Sequence, residues 1–577
     1  MYAEGGYRHD DMKSSTILGV CFGTVILAGG TALATSRTVT SVTDGEWDSP
    51  SSWVDSQSGK NTVPTSDDTV VIDSHTIVMT QGEHVSGFHL KNGILDLGPF
   101  HLTAGHGGTW DRGMITGSGG FDNRGELTLD DTPTKTLQGI LNNFSKVSHD
   151  LGNLNLAYAS VLLNREESLY ELTSDANITG LLRWDATPRF INEGTFRKAA
   201  GTETSRIEVV FNNVGGRIEI DSGTLSLVGT SGEASISSNG VFEVAEGAVL
   251  NLAGNNVNVF NGRYEGAGVG SVEMSLGTIK LGTDFHDVTF AFSGGGFVWK
   301  GGSIEPVLGA LVNEGNFTVD GESMKNLGGQ VFRNQGTVVH KGTGHLNLEY
   351  GSGYHNEEGA LYDLQDDVAV VVSGGEGPKP VFENAGRLQK SAGRGAASIR
   401  TPFENAGEVE INSGMLNFLD AYVQEDGITR LRGGDLASSE ALDIRGGTLA
   451  GAGRVFASVK SSGTLTPGNS AGLMVIHGDY DQGPRGRLEV EIGGASPGNE
   501  YDQLQVLGQA RMRGRLDVVL TDDFAPQAGD IFDIVQCRSC EPDFRSVNLP
   551  DLPGGLIWDV RYEHDSVRLF VVQNGIH

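Results

Sequence analysis

Apolar and polar residues alternate along most of this chain in short bursts, each closed by Gly, Asn, Asp or Ser. Arg217-Ile218-Glu219-Ile220, Glu408-Val409-Glu410-Ile411 and Leu488-Glu-Val490-Glu-Ile492 are typical. A period of two puts the apolar side chains on one face of a strand and the polar ones on the other. Bursts this short, rich in β-branched and aromatic residues and punctuated by turn formers, predict strands. Long Leu/Ala/Glu/Lys stretches at helical spacing are missing, so the pattern predicts an all-β chain.

The bursts are phased. Aromatic or Leu, any residue, Asn, any residue, Gly recurs at Phe121-Asp-Asn123-Arg-Gly125, Phe190-Ile-Asn192-Glu-Gly194, Phe211-Asn-Asn213-Val-Gly215, Leu311-Val-Asn313-Glu-Gly315, Phe332-Arg-Asn334-Gln-Gly336, Phe382-Glu-Asn384-Ala-Gly386 and Phe403-Glu-Asn405-Ala-Gly407. The 190/211, 311/332 and 382/403 pairs are each 21 residues apart, and a degenerate copy at Tyr354-His-Asn356 follows Phe332 after 22. A period near 21 fits one coil of a right-handed parallel β-helix, whose successive circuits stack about 4.8 Å apart. Like residues then fall on like. Phe190, Phe211, Phe332, Phe382 and Phe403 are expected to form an apolar ladder. Asn192, Asn213, Asn334, Asn384 and Asn405 are expected to form a stacked amide ladder. Gly194, Gly215, Gly336, Gly386 and Gly407 are expected to supply positive φ.

The phase sets the expected domains. Residues 81–482 are the β-helix proper, in coils of about 21 residues. Residues 35–80 form an N-terminal cap containing Trp47 and Trp53, which either cover the open end of the first coil or stack on sugars. From Gly483 the phase is lost, and residues 483–577 are expected to form a β-sandwich-like C-terminal domain.

The paired copies running from Phe382 to Gly414 resemble the repeat segments of bacterial secreted and surface β-helix proteins and autotransporter passengers. So does the stretch from Gly447 to Asp530, with Thr466-Pro467-Gly468-Asn-Ser470-Ala-Gly472, Gly478-Asp479-Tyr480 and Tyr501-Asp502-Gln-Leu504. The segment around Trp47 and Trp53 resembles the Trp-rich leading segment of such proteins and, more weakly, a G8-type module. The resemblance implies an extracellular or surface-exposed protein acting in adhesion or matrix. It departs from autotransporters because no series of roughly ten-residue alternating strands closes the chain as a translocator barrel.

Export follows separately from the N-terminus. Thr16–Gly30 is an apolar stretch of signal-peptide length, preceded by Met12-Lys13 and followed by the A-x-A site Ala32-Leu33-Ala34. Residues 1–34 are therefore expected to be a signal peptide, with translation starting at Met12, leaving no stable membrane span after cleavage. Cys21 lies within it. Cys537 and Cys540 form a C-x-x-C between strand-like segments, which in an exported chain predicts a local disulfide.

Charge narrows the partners. Lys and Arg number 41 against 73 Asp and Glu, a formal charge of −32. A polyanion is repelled by such a surface, so nucleic acid is excluded as an expected partner. A cell surface, matrix or polysaccharide remains.

Chemistry is sparse. The sequence is read as holding no G-x-S-x-G elbow, H-E-x-x-H helix, Walker loop or strand–GxGxxG–helix unit. Glu219 with Asp221 and Glu408 with Glu410 are the carboxylate pairs a β-helix polysaccharide lyase or glycosidase would use; an acidic outer face is the plainer reading. His84, His89, His101 and His106 repeat one five-residue step and are metal-ligand candidates if they fall on adjacent coils. Asp67, Asp68 and Asp73 offer oxygens for Ca²⁺; no cofactor is otherwise expected. Asn143, Asn177 and Asn316 begin N-x-[ST] sequons. The sequence thus predicts a non-enzymatic secreted or surface adhesive solenoid, with a carbohydrate-active β-helix enzyme as the alternative.

Overall fold

The computed structural model describes residues 37–575 except 184–185, 231, 253, 255–256, 284 and 376. Met12, Cys21 and the Ala32–Ala34 site lie outside the described residues. The described chain is a parallel β-solenoid of about 20 turns, with 58% of residues in strands and no α-helix. Its one helical turn is a 3-10 turn at Pro50–Ser52.

Most coils contain three short strands, each stacking in parallel on the corresponding strand of the next coil. Arg189–Asn192 pairs with Val210–Asn213 so that Phe190 faces Phe211 and Asn192 faces Asn213. Phe382–Asn384 pairs with Phe403–Asn405 in the same way. Between Asn ladder positions the coils run 20, 21, 28 and 21 residues from Asn123 to Asn213. The side-chain period of two sends one face of every strand inward, and the inward residues form one continuous core. Phe332, Tyr354, Phe382, Phe403 and Tyr422 succeed one another on consecutive coils with ring centroids 4.7–5.5 Å apart. Burying each such ring stabilises the coil by about 1.5–3 kcal/mol, and each aromatic pair adds about 0.5–1.5 kcal/mol.

The core repeats on a longer scale as well. His149, Tyr170, Lys198 and Asn213 reappear as His340, Tyr362, Lys390 and Asn405, 191 or 192 residues further on. The coil of 28 residues between Asn164 and Asn192 has its counterpart of 28 between Asn356 and Asn384. Five coils, about residues 121–228 and 311–419, are therefore two copies of one unit.

One expectation about the ends needs correction, and at the other end one of two alternatives falls away. The strands after Gly483 do not build a separate sandwich. Arg487–Ile492 stacks in parallel on Arg515–Leu520 over six residues, and Arg515–Asp517 stacks in turn on Ser546–Asn548. The 21-residue phase disappears because turns lengthen the coils, while the rungs keep their pairing. Among the described strands the pairing is antiparallel at the two ends: Thr38–Ser41 against Trp53–Asp55 at the start, and Ser566–Gln573 against Leu556–Tyr562 and Ile531–Gln536 in the final hairpin. At the other end Trp47 and Trp53 are fully buried, their rings 5.1 Å apart, with Trp53 Nε1 donating to the Trp47 carbonyl at 2.7 Å. Neither indole face is open to a sugar.

Candidate functional site

The inward Asn side chains form a hydrogen-bonded spine. Each Nδ2 donates to the Oδ1 of the next coil, from Asn123 through Asn143, Asn164 and Asn192 to Asn213, at 2.7–2.9 Å. A second run passes from Asn313 through Asn334, Asn356 and Asn384 to Asn405 at 2.7–2.8 Å and ends on Gln424 at 3.3 Å. The same Nδ2 atoms also donate to backbone carbonyls, as Asn192 does to Arg217. Between the runs the rung positions belong to Tyr264 and Phe290, the latter facing Asn313, and aromatic packing replaces the amides. Asn143, Asn164 and Gln424 escape the sequence pattern because no Gly follows them two residues later. Asn143 is fully buried in the spine, which removes its sequon as a glycan acceptor.

The glycines play a different part from the one expected. Of the five ladder glycines only Gly215 has positive φ, at 69°. The others are required by close approach of the neighbouring coil. A Cβ on Gly407 would stand 2.1 Å from the Gly386 carbonyl oxygen, and one on Gly336 would stand 2.3 Å from that of Gly315.

Buried Lys and His side chains form a second interior set that the sequence pattern did not reveal. Lys198 Nζ is fully enclosed, donating to Asp175 Oδ1 at 2.8 Å and to the Ala200 carbonyl at 3.1 Å. Lys390 repeats this with Asp367 at 3.1 Å and Ala392 at 2.8 Å. His149 and His340 each meet a tyrosine hydroxyl through Nδ1 at 3.0 Å, Tyr170 and Tyr362 respectively. Burial pushes His149 down to about 4 and His340 to about 3, so both rings are neutral. The same burial raises both tyrosines. The useful signal was the 192-residue recurrence of these residue types, which has no cause on a solvated surface.

The metal candidates are not brought together. His84, His89 and His101 face Thr103, Thr109 and Gly120 on the adjacent rungs. His89 Nδ1 bonds Thr109 Oγ1 at 2.9 Å and His106 Nδ1 bonds Ser86 Oγ at 3.0 Å. Asp68 is buried against Arg37, at 2.6 and 2.9 Å, and takes the Thr65 N–H. No group of three or more His, Cys, Asp or Glu is arranged to hold a metal among the described residues.

The acidic pairs sit within arginine networks. Asp221 and Glu219 share Arg197, and Arg217 also binds Glu219. Glu408 and Glu410 are held by Arg387 and Arg430, with Arg432 on Glu410 as well. Arg217 lies on the same strand as Glu219, whereas Arg197, Arg387, Arg430 and Arg432 reach these carboxylates from adjacent coils. Gly468-Asn-Ser470-Ala-Gly472 has G-x-S-x-G spacing, which the sequence reading passed over, and Ser470 stands at φ 104°. A strand, Leu473–Ile476, follows it in place of the helix such an elbow needs. Beneath the turn, Asp502 accepts the Gly472 and Glu491 N–H groups at 2.9 and 3.0 Å. Burial, with Glu491 and Glu489 nearby, lifts Asp502 to about 7. Cys537 and Cys540 are joined as a disulfide, with Cα atoms 5.7 Å apart.

A cleft of about 680 Å³ lies over the last coils. Thr448, Thr464, Arg487, Arg515 and Ser546 occupy one column of consecutive rungs along it. Arg485 and Arg545 also line it, and no carboxylate does.

No family model matches the chain, and no curated protein matches it. The class is therefore defined by architecture alone: a parallel β-solenoid held by a core amide spine. No helix of the described residues is long and apolar enough to cross a membrane.

Proposed function

We propose that this chain is an exported structural solenoid that makes non-catalytic contacts with a cell surface, matrix or glycan through its long sides. The observation that carries this reading is where the polar chemistry goes. The conspicuous buried polar groups, the Asn spine and the Lys and His sets, bond to neighbouring coils. The carboxylate pairs that hydrolysis would need are spent on arginines between coils. About 20 turns at ~4.8 Å give a stack on the order of 95 Å long. A repeating lateral surface of that length suits an extended polymer, which meets the same backbone geometry at every rung.

The test uses the chain without residues 1–34 on immobilised matrix polymers, glycans and whole cells. Saturable binding with unchanged polymer length supports the reading. Absence of binding to all of them contradicts it. Release of reducing sugar or unsaturated product would replace it with a polysaccharide-degrading activity.

A further inference from the structure

The cleft over the last coils runs against the charge of the whole molecule. The chain carries −32, yet four arginines (Arg485, Arg487, Arg515 and Arg545) converge on one recess with no acidic lining. Arg487 and Arg515 are direct rung partners, two like charges stacked about 4.8 Å apart. Asp517 binds both, and Glu489 binds Arg487. Among the described residues Arg485 and Arg545 have no ion-pair partner, and both are exposed at the cleft. Glu489 and Asp517 balance Arg487 and Arg515, so the uncompensated charge at the cleft is that of Arg485 and Arg545; other arginines without an ion pair among the described residues, such as Arg206, Arg394 and Arg400, do not line this recess. Threonine and serine hydroxyls of the same column complete the lining.

We propose that this cleft binds a linear acidic polysaccharide along the solenoid axis. Arg485 and Arg545 engage its carboxylate or sulfate groups, and Thr448, Thr464 and Ser546 engage ring hydroxyls. Charge-assisted guanidinium bonds are the strong contacts available to such groups. An extended polyuronate has one carboxylate per sugar, a spacing close to that of the rungs that present the arginines. A single sugar chain is narrow enough to lie in the recess, whereas an anionic membrane is flat and meets a chain of net charge −32. The inference rests on the proposed surface-binding function and names the ligand class and site.

The experiment measures binding of polygalacturonate and dextran sulfate to the chain lacking residues 1–34, by calorimetry at low and high salt. Neutral dextran and phosphatidylserine vesicles are the comparison ligands. Arg485→Ala/Arg545→Ala removes the unpaired arginines; Arg394→Ala/Arg400→Ala removes two exposed arginines outside the cleft, with the same change in net charge. The proposal expects binding of at least one acidic polysaccharide, weakened by salt, and a loss of about 10-fold per cleft arginine. The outer pair should change affinity by less than about threefold. Circular dichroism confirms that both variants fold. Equal losses in both variants, or binding of vesicles in place of polysaccharide, overturn the site. Binding to neutral glycans or matrix alone also overturns it while leaving the surface-binding function standing. Failure to bind any surface or polymer defeats both.

Discussion

Replacing Asn192 with alanine is expected to loosen the solenoid far more than its single side chain suggests. Asn192 is fully buried; its Nδ2 donates to Asn213 Oδ1 at 2.7 Å and to the Arg217 carbonyl at 3.2 Å, and its Oδ1 accepts from Asn164 Nδ2 at 2.8 Å. Asn192→Ala removes all three bonds. Asn164 keeps the Thr195 carbonyl as an acceptor, but Asn213 Oδ1 loses its donor from the coil below. Stranding buried groups costs about 1–3 kcal/mol each, so the expected loss is about 3–5 kcal/mol. Glu193→Ala, one residue away, removes only a surface ion pair to Arg165 at 3.7 Å and is expected to cost under about 1 kcal/mol. Long repeat stacks do not always unfold in one step, so amide hydrogen exchange across residues 160–220 is the better assay than a single midpoint. Opening free energies should fall around Asn164, Asn192 and Asn213 and recover some coils away. Asn384→Ala, at the equivalent place in the second copy, should lose a similar amount. A loss no larger than that of Glu193→Ala would refute the spine as a source of stability.

Other outcomes follow from the same interior. His149 has a folded pKa depressed to about 4 from 6.5, so its contribution is present above about pH 6.5 and is lost as pH falls towards 4. That loss is about 3 kcal/mol; urea unfolding of wild type and His149→Gln should converge on acidification, and parallel curves would contradict the buried neutral ring. Gly407→Ala drives a Cβ to 2.1 Å from the Gly386 oxygen and should cost about 2–4 kcal/mol. Gly359→Ala has φ 81° but open space around it, so it should cost only about 1–2 kcal/mol, and thermal melts separate the two. Asp175→Ala leaves the enclosed Lys198 amine with carbonyls and the Ser205 hydroxyl alone and should destabilise by about 1–3 kcal/mol, with Asp367→Ala its counterpart at Lys390. A neutral result for both by urea unfolding would show that the carbonyls suffice.

Much of this was legible in the sequence because stacking is a one-dimensional rule. Once Phe190 and Phe211, or Phe382 and Phe403, share a phase, the register of everything between them follows. What stayed hidden has two physical causes. Lys198, Lys390, His149 and His340 are residue types expected on the surface, and the carbonyls, aspartates and tyrosine hydroxyls brought around them by the stacked coils make their burial tolerable. The cleft arginines lie on lengthened coils, so no constant spacing links Arg487 with Arg515 before the rungs are known. The His quartet misled for the opposite reason. An equal spacing in sequence became an adjacent rung only for its hydroxyl neighbours.

Stacking in register is tested most directly by a cross-link between successive coils. Glu383 and Glu404 are exposed rung partners, and Val423 is the partner of Glu404 one coil further. Rungs about 4.8 Å apart lie within disulfide reach, whereas two rungs, at about 9.6 Å, do not. The account predicts that Glu383→Cys/Glu404→Cys closes a disulfide under mild oxidation, seen by mass spectrometry of the digest, and that Glu383→Cys/Val423→Cys stays reduced. Closure of the second pair with the first left open would contradict it.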